Sequence, residues 1–369
     1  MQKILSPNND YSELTQYLKE NRLNKIFLVC DSSLPFLKIN DYFTSLPEKA
    51  GIEVVYFNDF KPNPLYESVV KGVDLFLSQN CDAIIAVGGG SAMDVAKCIK
   101  LYSNMDKNEN YLKQTIVPND IPLLAVPTTA GTGSEATRYA VIYYNDEKQS
   151  VADYSCIPSV ILLDPSVLKT LPEYQKKSTM LDALCHSIEA FWSVNSTDES
   201  KEYSKQAIKL ILENLDGYIK NEDTANANML VAANTAGKAI NITQTTAGHA
   251  MCYKLTSLYN IAHGHAAALC VKKLFPYMIM HTEKCIDPRG EDCLKTTFEE
   301  IAKAMDCLDA NEAAQKFEKI VDSLNLTVPK PEQKDFDILT DSVNVTRLKN
   351  NPVELDKETI RKLYNEILA

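Results

Sequence analysis

The sequence predicts an α/β domain followed by an all-α one: an N-terminal doubly wound parallel sheet, then a C-terminal helical domain. Three observations carry this expectation. Short β-branched apolar runs alternate with longer helical patterns through the first half. Those runs are continuously apolar, as strands covered on both faces must be. From about Leu171 the strand candidates nearly vanish while helical patterns continue. The boundary is placed at the Leu171-Pro172 step, giving domains 1–171 and 172–369.

Strands are expected at Lys25–Cys30, Glu53–Asn58, Asp82–Val87, Pro122–Pro127 and Ser159–Asp164. Apolar residues at helical spacing predict helices over Tyr66–Gln79 and Ser91–Tyr102 between them. The second half reads as helices over Asp182–Ser193, Asp198–Tyr218, Thr224–Thr246, Gly264–His281 and Leu294–Met305. Residues 325–353 then form a loop-rich excursion before a last helix, Lys357–Leu368.

Composition excludes several classes. With 369 residues, 45% hydrophobic and 24% charged, the chain is neither disordered, collagenous nor a coiled coil. Lys+Arg 38 against Asp+Glu 49 gives a net charge of −11, so no basic surplus exists to neutralise nucleic-acid phosphates. No run approaches the ~18 apolar residues of a membrane span, and the N-terminal decapeptide has no signal core. Ten scattered cysteines without a C-x-x-C pair suggest a reduced, cytoplasmic protein. Cys30, Cys81, Cys98 and Cys270 lie in apolar segments and read as small buried hydrophobes.

Two residue types are scarce: 5 His and 12 Gly in 369 residues. The glycines amount to about 3%, under half the usual ~7%. Three of them end a predicted strand in Gly88-Gly89-Gly90-Ser91-Ala92-Met93-Asp94. Such a turn lets backbone approach a ligand, and it opens a helix whose first N–H groups form an anion seat. Ser91 and Asp94 fit an S-x-x-D capping box. A second polar turn, Thr128-Thr129-Ala130-Gly131-Thr132-Gly133-Ser134-Glu135, follows the next strand and suits a ribose or pyrophosphate. Asp31 ends the first strand, where a carboxylate would accept ribose hydroxyls and repel a 2′-phosphate, or would cap the next helix. Two such turns favour a nucleotide.

Four of the five histidines are concentrated in two segments. Asp182 and His186 stand four apart, on one face of a predicted helix. His249, His263 and His265 follow in a second segment, while His281 stands alone as a surface residue. One carboxylate with three imidazoles suits a divalent first-row metal.

Together these segments resemble the iron-containing (group III) alcohol dehydrogenase family. The resemblance rests on GGGSAMDVAK at 88–97, PTTAGTGSEATR at 127–138, DP at 164–165 with LP at 171–172, DALCHSIEAFWS at 182–193 and HAMCYKLTSLYNIAHGHA at 249–266. It implies a Rossmann-like dinucleotide domain and a helical metal-binding domain. The implied metal ligands and catalytic centre are Asp182, His186, His249 and His263, with Fe(II) or Zn(II) as Lewis acid. Expected cofactor contacts are Asp31, Asn63, Gly88, Gly89, Gly90, Ser91, Asp94, Thr128, Thr129, Thr137 and Lys148, with NAD(H) preferred over NADP(H). A homodimer or larger oligomer is the family's habit.

Departures from the family bear on substrate. Tyr253 stands where many members carry a second histidine, and Met180 where many carry Gly. Lys238, Asn241, Gln244, Thr245, Lys254 and His265 replace apolar or small residues. Of these, Lys238, Asn241, Thr245, Tyr253, Lys254 and His265 are the expected substrate contacts. Lysines with hydroxyl and amide donors suit a tetrahedral anion. The pattern looks like the branch that reduces phosphonoacetaldehyde to 2-hydroxyethylphosphonate. Sulfoacetaldehyde reduction to isethionate is a close rival, and a general primary-alcohol dehydrogenase another. A dehydroquinate synthase-like lyase shares the architecture. A metal-dependent hydrolase without nucleotide is disfavoured by the two nucleotide-like turns.

Overall fold

The computed structural model describes residues 2–145, 147–343 and 348–369. The chain divides into two compact units, Met1–Leu171 with Asn221–Leu230, and Pro172–Lys220 with Val231–Ala369. Residues 221–230 group with the first unit because Asn221 Nδ2 donates to the Lys169 carbonyl at 3.0 Å and Lys169 pairs with Asp223 at 2.7 Å.

The first unit is built on a six-stranded parallel sheet in the order β1-β8-β5-β4-β2-β3. Its strands are β1 (Lys3–Leu5), β2 (Lys25–Cys30), β3 (Glu53–Phe57), β4 (Ala83–Gly88), β5 (Leu123–Pro127) and β8 (Val160–Leu162). All five expected strands are present, each within two residues of its expected ends. β4 and β5 are buried at every position, which is why they read as unbroken apolar runs. Helices α1 (Ser12–Glu20), α2 (Lys38–Ala50), α3 (Tyr66–Ser78) and α4 (Gly90–Tyr102) join or precede the strands. Phe27, Val29, Ile84 and Ala86 of the sheet pack with Val73, Phe76, Val95 and Ile99 of α3 and α4 in one core. The fold class is that of an open α/β sheet, as expected.

Four features of this unit escaped the sequence reading: β1, α1, a β-hairpin and α2. β1 is three residues long, too short for a pattern. The antiparallel hairpin of β6 (Tyr139–Tyr144) and β7 (Glu147–Ala152) lies outside the main sheet; its half-polar strands lack the apolar run used to find the others. α2 alternates apolar and polar residues around an internal Pro47.

One local expectation is corrected. The helix after the glycine turn starts at Gly90 with Gly89 as its cap, and no side chain caps it. Asp94 instead accepts a hydrogen bond from Ser134 Oγ at 3.3 Å, so Ser91 and Asp94 form no capping box.

Among the described residues, one isolated antiparallel bridge joins Cys285 and Val353, and the regular elements of the second unit are helices. They are α5 (Glu173–Trp192), α6 (Asp198–Ile219), α7 (Asp223–Thr243, whose opening residues group with the first unit), α8 (Ala247–Tyr259), α9 (His263–Met280), α10 (Glu291–Ala304), α11 (Ala310–Ser323), α12 (Asp335–Asp341) and α13 (Lys357–Ile367). α5 is buried continuously from Met180 to Trp192, as a helix surrounded by others must be. It begins nine residues before its expected start because its first turns carry the polar residues of a partly exposed end. α12 lies within the expected loop-rich stretch. No helix of the described residues is long and apolar enough to cross a membrane.

Candidate functional site

In the first unit, strand order reverses between β2 and β4: β2 leads to β3 on one side and β4 to β5 on the other. Ligands of open α/β sheets bind at such a reversal, beyond the carboxyl ends of the strands. Asp31 follows β2, and Gly88–Gly90 close β4. Asp31 Oδ2 accepts from Gly89 N at 3.4 Å, while its Oδ1 accepts from Ser33 N and Oγ at 2.9 and 2.5 Å. A Cβ on Gly88 would lie 2.5 Å from Ala92 Cβ and 2.7 Å from Asp31 Oδ2. Only glycine permits this approach. Asp31 thus reaches across to the turn as well as bonding its own next turn.

The second polar turn faces the first. Thr128 N donates to the Gly88 carbonyl at 3.0 Å. Cβ atoms built on Gly89 and Gly90 would meet the methyls of Thr129 at 3.3 Å and Thr132 at 3.1 Å. Lys97 joins the two segments from beneath. It is fully buried, and its Nζ donates to Ser134 O (2.6 Å), Thr137 O (2.8 Å) and Tyr139 O (2.7 Å), with the Ser134 and Thr137 hydroxyls at 3.1 and 3.2 Å. Thr137 is therefore engaged with Lys97 through both its carbonyl and its hydroxyl. Burial pushes Asp94 up to about 6, opposed by the charges of Lys97 and Lys148. Lys148 lies on β7, and Asn63 is exposed with φ 58°. The free N–H groups at the start of α4 complete a cradle for an anion.

In the second unit, α5 supplies Asp182, His186 and Glu189 at positions i, i+4 and i+7, on one face of a buried helix. α8 brings His249 and α9 begins with His263. Ligand atoms of Asp182, His249 and His263 all lie within 4.8 Å of one another. His249 Nε2 is 3.4 Å and His186 Nε2 3.9 Å from Asp182 Oδ1. The His186 and His249 rings stack, centroids 4.5 Å apart. His186 thus stands beside the three-residue cluster rather than within it.

Gly264 makes this convergence possible. A Cβ there would lie 2.1 Å from the Ser178 carbonyl and 2.6 Å from Asp182 Cβ, so α9 approaches α5 closely enough to set His263 next to Asp182. Burial would raise Asp182, but the charges of His186 and His263 and the hydrogen bond of His249 hold it well below the usual carboxylate range. Desolvation likewise opposes the ionised Glu189, which His249 and Thr246 keep lowered. His249 is pushed up to about 9: burial lowers it, and Glu189 and Asp182 outweigh burial.

Oxygen and imidazole donors of this kind suit a divalent transition metal. The charge fits as well. Asp182 and Glu189 are buried carboxylates whose charged partners among the described residues are histidines. A divalent cation would neutralise both.

Sequence reasoning missed Glu189, Thr246 and Trp192. Glu189 Oε2 accepts from His249 Nδ1, while its Oε1 accepts from Thr246 Oγ1 at 2.6 Å. The signal was available, since Glu189 follows His186 by three residues on the same helical face.

Of the expected substrate contacts, Tyr253 stacks on His263 with centroids 5.4 Å apart, next to the cluster. His265 is buried; its Nδ1 lies 3.2 Å from Tyr174 Oη, and burial pushes it down to about 4. It is neutral and offers hydrogen bonding rather than charge. Lys238 Nζ lies over the Tyr203 ring at 6.0 Å. Asn241 and Lys254 are half-buried on α7 and α8, and the buried Thr245 accepts through its carbonyl from Asn350 Nδ2 at 3.2 Å.

Residues 2–165 match the family model for iron-containing alcohol dehydrogenase, and residues 176–368 match the C-terminal model of the same family. The chain belongs to the iron-containing alcohol dehydrogenase family. The family is named for alcohol dehydrogenation, an oxidoreductase reaction. An aldehyde-alcohol dehydrogenase of Streptococcus pneumoniae is 32% identical over 302 residues, 76% of this chain and 34% of that protein; the chain thus spans about a third of that relative. A phosphonoacetaldehyde reductase of Streptomyces viridochromogenes is 32% identical over 301 residues, 77% of this chain and 76% of that one. The sulfoacetaldehyde reductase of Bifidobacterium kashiwanohense, solved with NAD+, shares the fold at a TM-score of 0.84 and 24% identity, over 100% and 97% of the two chains.

Proposed function

We propose that this chain is a metal- and NADH-dependent reductase of a short anionic aldehyde, with phosphonoacetaldehyde, giving 2-hydroxyethylphosphonate, as the substrate. The observation that carries the metal-dependent part is the convergence of Asp182, His249 and His263, with His186 beside them. These four would hold the ion, which when bound supplies a Lewis acid that polarises a carbonyl oxygen. In the first unit, the α4 N-terminus and the Gly88–Gly90 turn would receive the pyrophosphate, with Thr128 and Thr129 alongside. Asp31 would take the adenine ribose, and its negative charge favours NAD(H) over NADP(H).

The substrate reading rests on Lys238, Asn241, Thr245, Lys254 and His265 along α7–α9, which add cationic and hydrogen-bonding groups to the unit that carries the metal cluster. Tyr253, stacked on His263, would lie beside the substrate. The name of the Streptomyces relative agrees with this reading. Its identity equals that of the aldehyde-alcohol dehydrogenase, so identity alone does not choose the substrate. A second reading, sulfoacetaldehyde reduction, is favoured by the same anion-directed residues and by the fold match.

Steady-state kinetics with NADH on phosphonoacetaldehyde, sulfoacetaldehyde and butyraldehyde test the proposal. The highest kcat/KM is expected on the phosphonate. Highest kcat/KM on sulfoacetaldehyde selects the second reading, and on butyraldehyde overturns both. A lyase would show no net NADH consumption with any of the three.

A further inference from the structure

The buried carboxylate of Glu189 is the second acid on the α5 face that carries Asp182 and His186, and no step of the proposed reaction uses it. It is fully buried, and four donors converge on it: His249 Nδ1 on Oε2, and Thr246 Oγ1 (2.6 Å), Thr246 N (3.2 Å) and His249 N (3.3 Å) on Oε1. An ionised carboxylate only accepts. Its bond to His249 Nδ1 therefore keeps a proton there, so Nε2, which faces Asp182 Oδ1 at 3.4 Å, is the ring nitrogen left to exchange its proton for an ion in the cluster.

A further link extends outward. The indole Nε1 of Trp192, the single tryptophan of the chain, donates to Thr246 Oγ1 at 2.8 Å. That hydroxyl accepts from the indole and donates to Glu189, so each polar atom has one assigned role. Gly248 is part of the same construction. A Cβ there would stand 2.9 Å from Glu189 Oε1 and 2.6 Å from Val271 Cγ2, so α8 must approach the carboxylate through a glycine.

We propose that Glu189 is a positioning residue of the metal site, which orients His249, selects its Nε2 as ligand atom and supplies the second negative charge that balances a divalent ion. Thr246 and Trp192 hold the carboxylate in place. This rests on the metal-dependent reading above. It predicts an effect on metal affinity itself, before any turnover, because outer partners of ligating histidines typically govern affinity by 10- to 100-fold.

The test uses the full chain, freed of metal by chelation, and titrates Zn(II) against a chromophoric competitor. Co(II) is bound in parallel and its visible spectrum recorded. Glu189→Gln keeps the shape but removes the charge and turns an amide toward donors. Its Zn(II) Kd is expected to weaken by about 10- to 100-fold, with shifted Co(II) bands and an unchanged far-UV circular dichroism spectrum of the metal-free chain. Thr246→Val removes only the hydroxyl, so a smaller weakening, of a few-fold, is expected, together with loss of any Zn(II)-induced change in Trp192 emission. Both variants within about twofold of the wild-type Kd, with unchanged Co(II) bands, would overturn the inference while leaving the metal-dependent reading intact. A wild-type chain that binds neither ion overturns that reading and this inference with it. If Glu189→Gln does not fold, Thr246→Val decides: an unaltered Kd and Trp192 response overturn the proposal.

Discussion

The two units make their sites from different material. The first uses backbone: a three-glycine turn at the end of β4, unpaired N–H groups opening α4, and a threonine loop after β5. The second uses side chains, aimed inward from the buried faces of α5, α8 and α9. A backbone site is tolerant of neighbouring chemistry but intolerant of a Cβ. A side-chain site depends on donor identity and on the glycines that let helices approach. The contrast teaches that glycine serves opposite ends here, leaving room for a ligand in one unit and for a helix in the other.

The largest expected effect comes from removing a donor in the second unit. Asp182→Asn or His249→Ala should lose bound metal and lower kcat/KM by about 10³-fold or more, the loss that several kcal/mol of Lewis-acid stabilisation represents. NADH binding, followed by fluorescence, should stay within about twofold. Loss of both together would break the division of labour. Next in size is Lys97→Met in the first unit, which leaves five oxygens without their buried donor. A stability loss of about 3 kcal/mol is expected, read as a lower urea midpoint.

The glycines sharpen the comparison. Gly264→Ala should cost about 1–3 kcal/mol through overpacking against Ser178 and Asp182, and weaken metal retention with NADH affinity intact. Gly88→Ala should do the reverse, raising the NADH Kd about tenfold or more while metal content holds. If each variant impaired both ligands equally, backbone and side-chain sites would not be separable.

The smallest effect is electrostatic. Asp94 is raised by burial to about 6, above its unfolded value. Its contribution is therefore fully present below about pH 4 and lost as pH rises through about 6. Asp94→Asn should gain stability relative to wild type between pH 4.5 and 7.5, measured by urea unfolding at both values. A constant difference across that range would contradict the assignment.

Much of this was legible because the informative residues are rare. Three of the twelve glycines mark the β4 turn, and His249 and His263, with His186 beside them, mark the histidine cluster at Asp182. The parallel strands were legible because burial on both faces leaves no polar alternation to confuse the pattern. The hairpin β6–β7 was not, since its residues are only partly covered. Nor was Glu189: a glutamate on a helix is ordinarily solvated, and only the burial of α5 on every side makes its charge significant.

By itself the sequence determined the class of the two units, the strand–turn–helix at Gly88–Gly90 and the residue types of the carboxylate–imidazole cluster, because these follow from periodicity and from residues with no substitute. Tertiary structure decided the rest. It showed that Asp94 bonds Ser134 instead of capping α4, that Thr137 is tied to Lys97, and that Glu189 stands behind His249. Each of these joins residues 40 to 60 positions apart. No local pattern encodes such pairs; they exist only because burial forces every polar group to find a partner within reach.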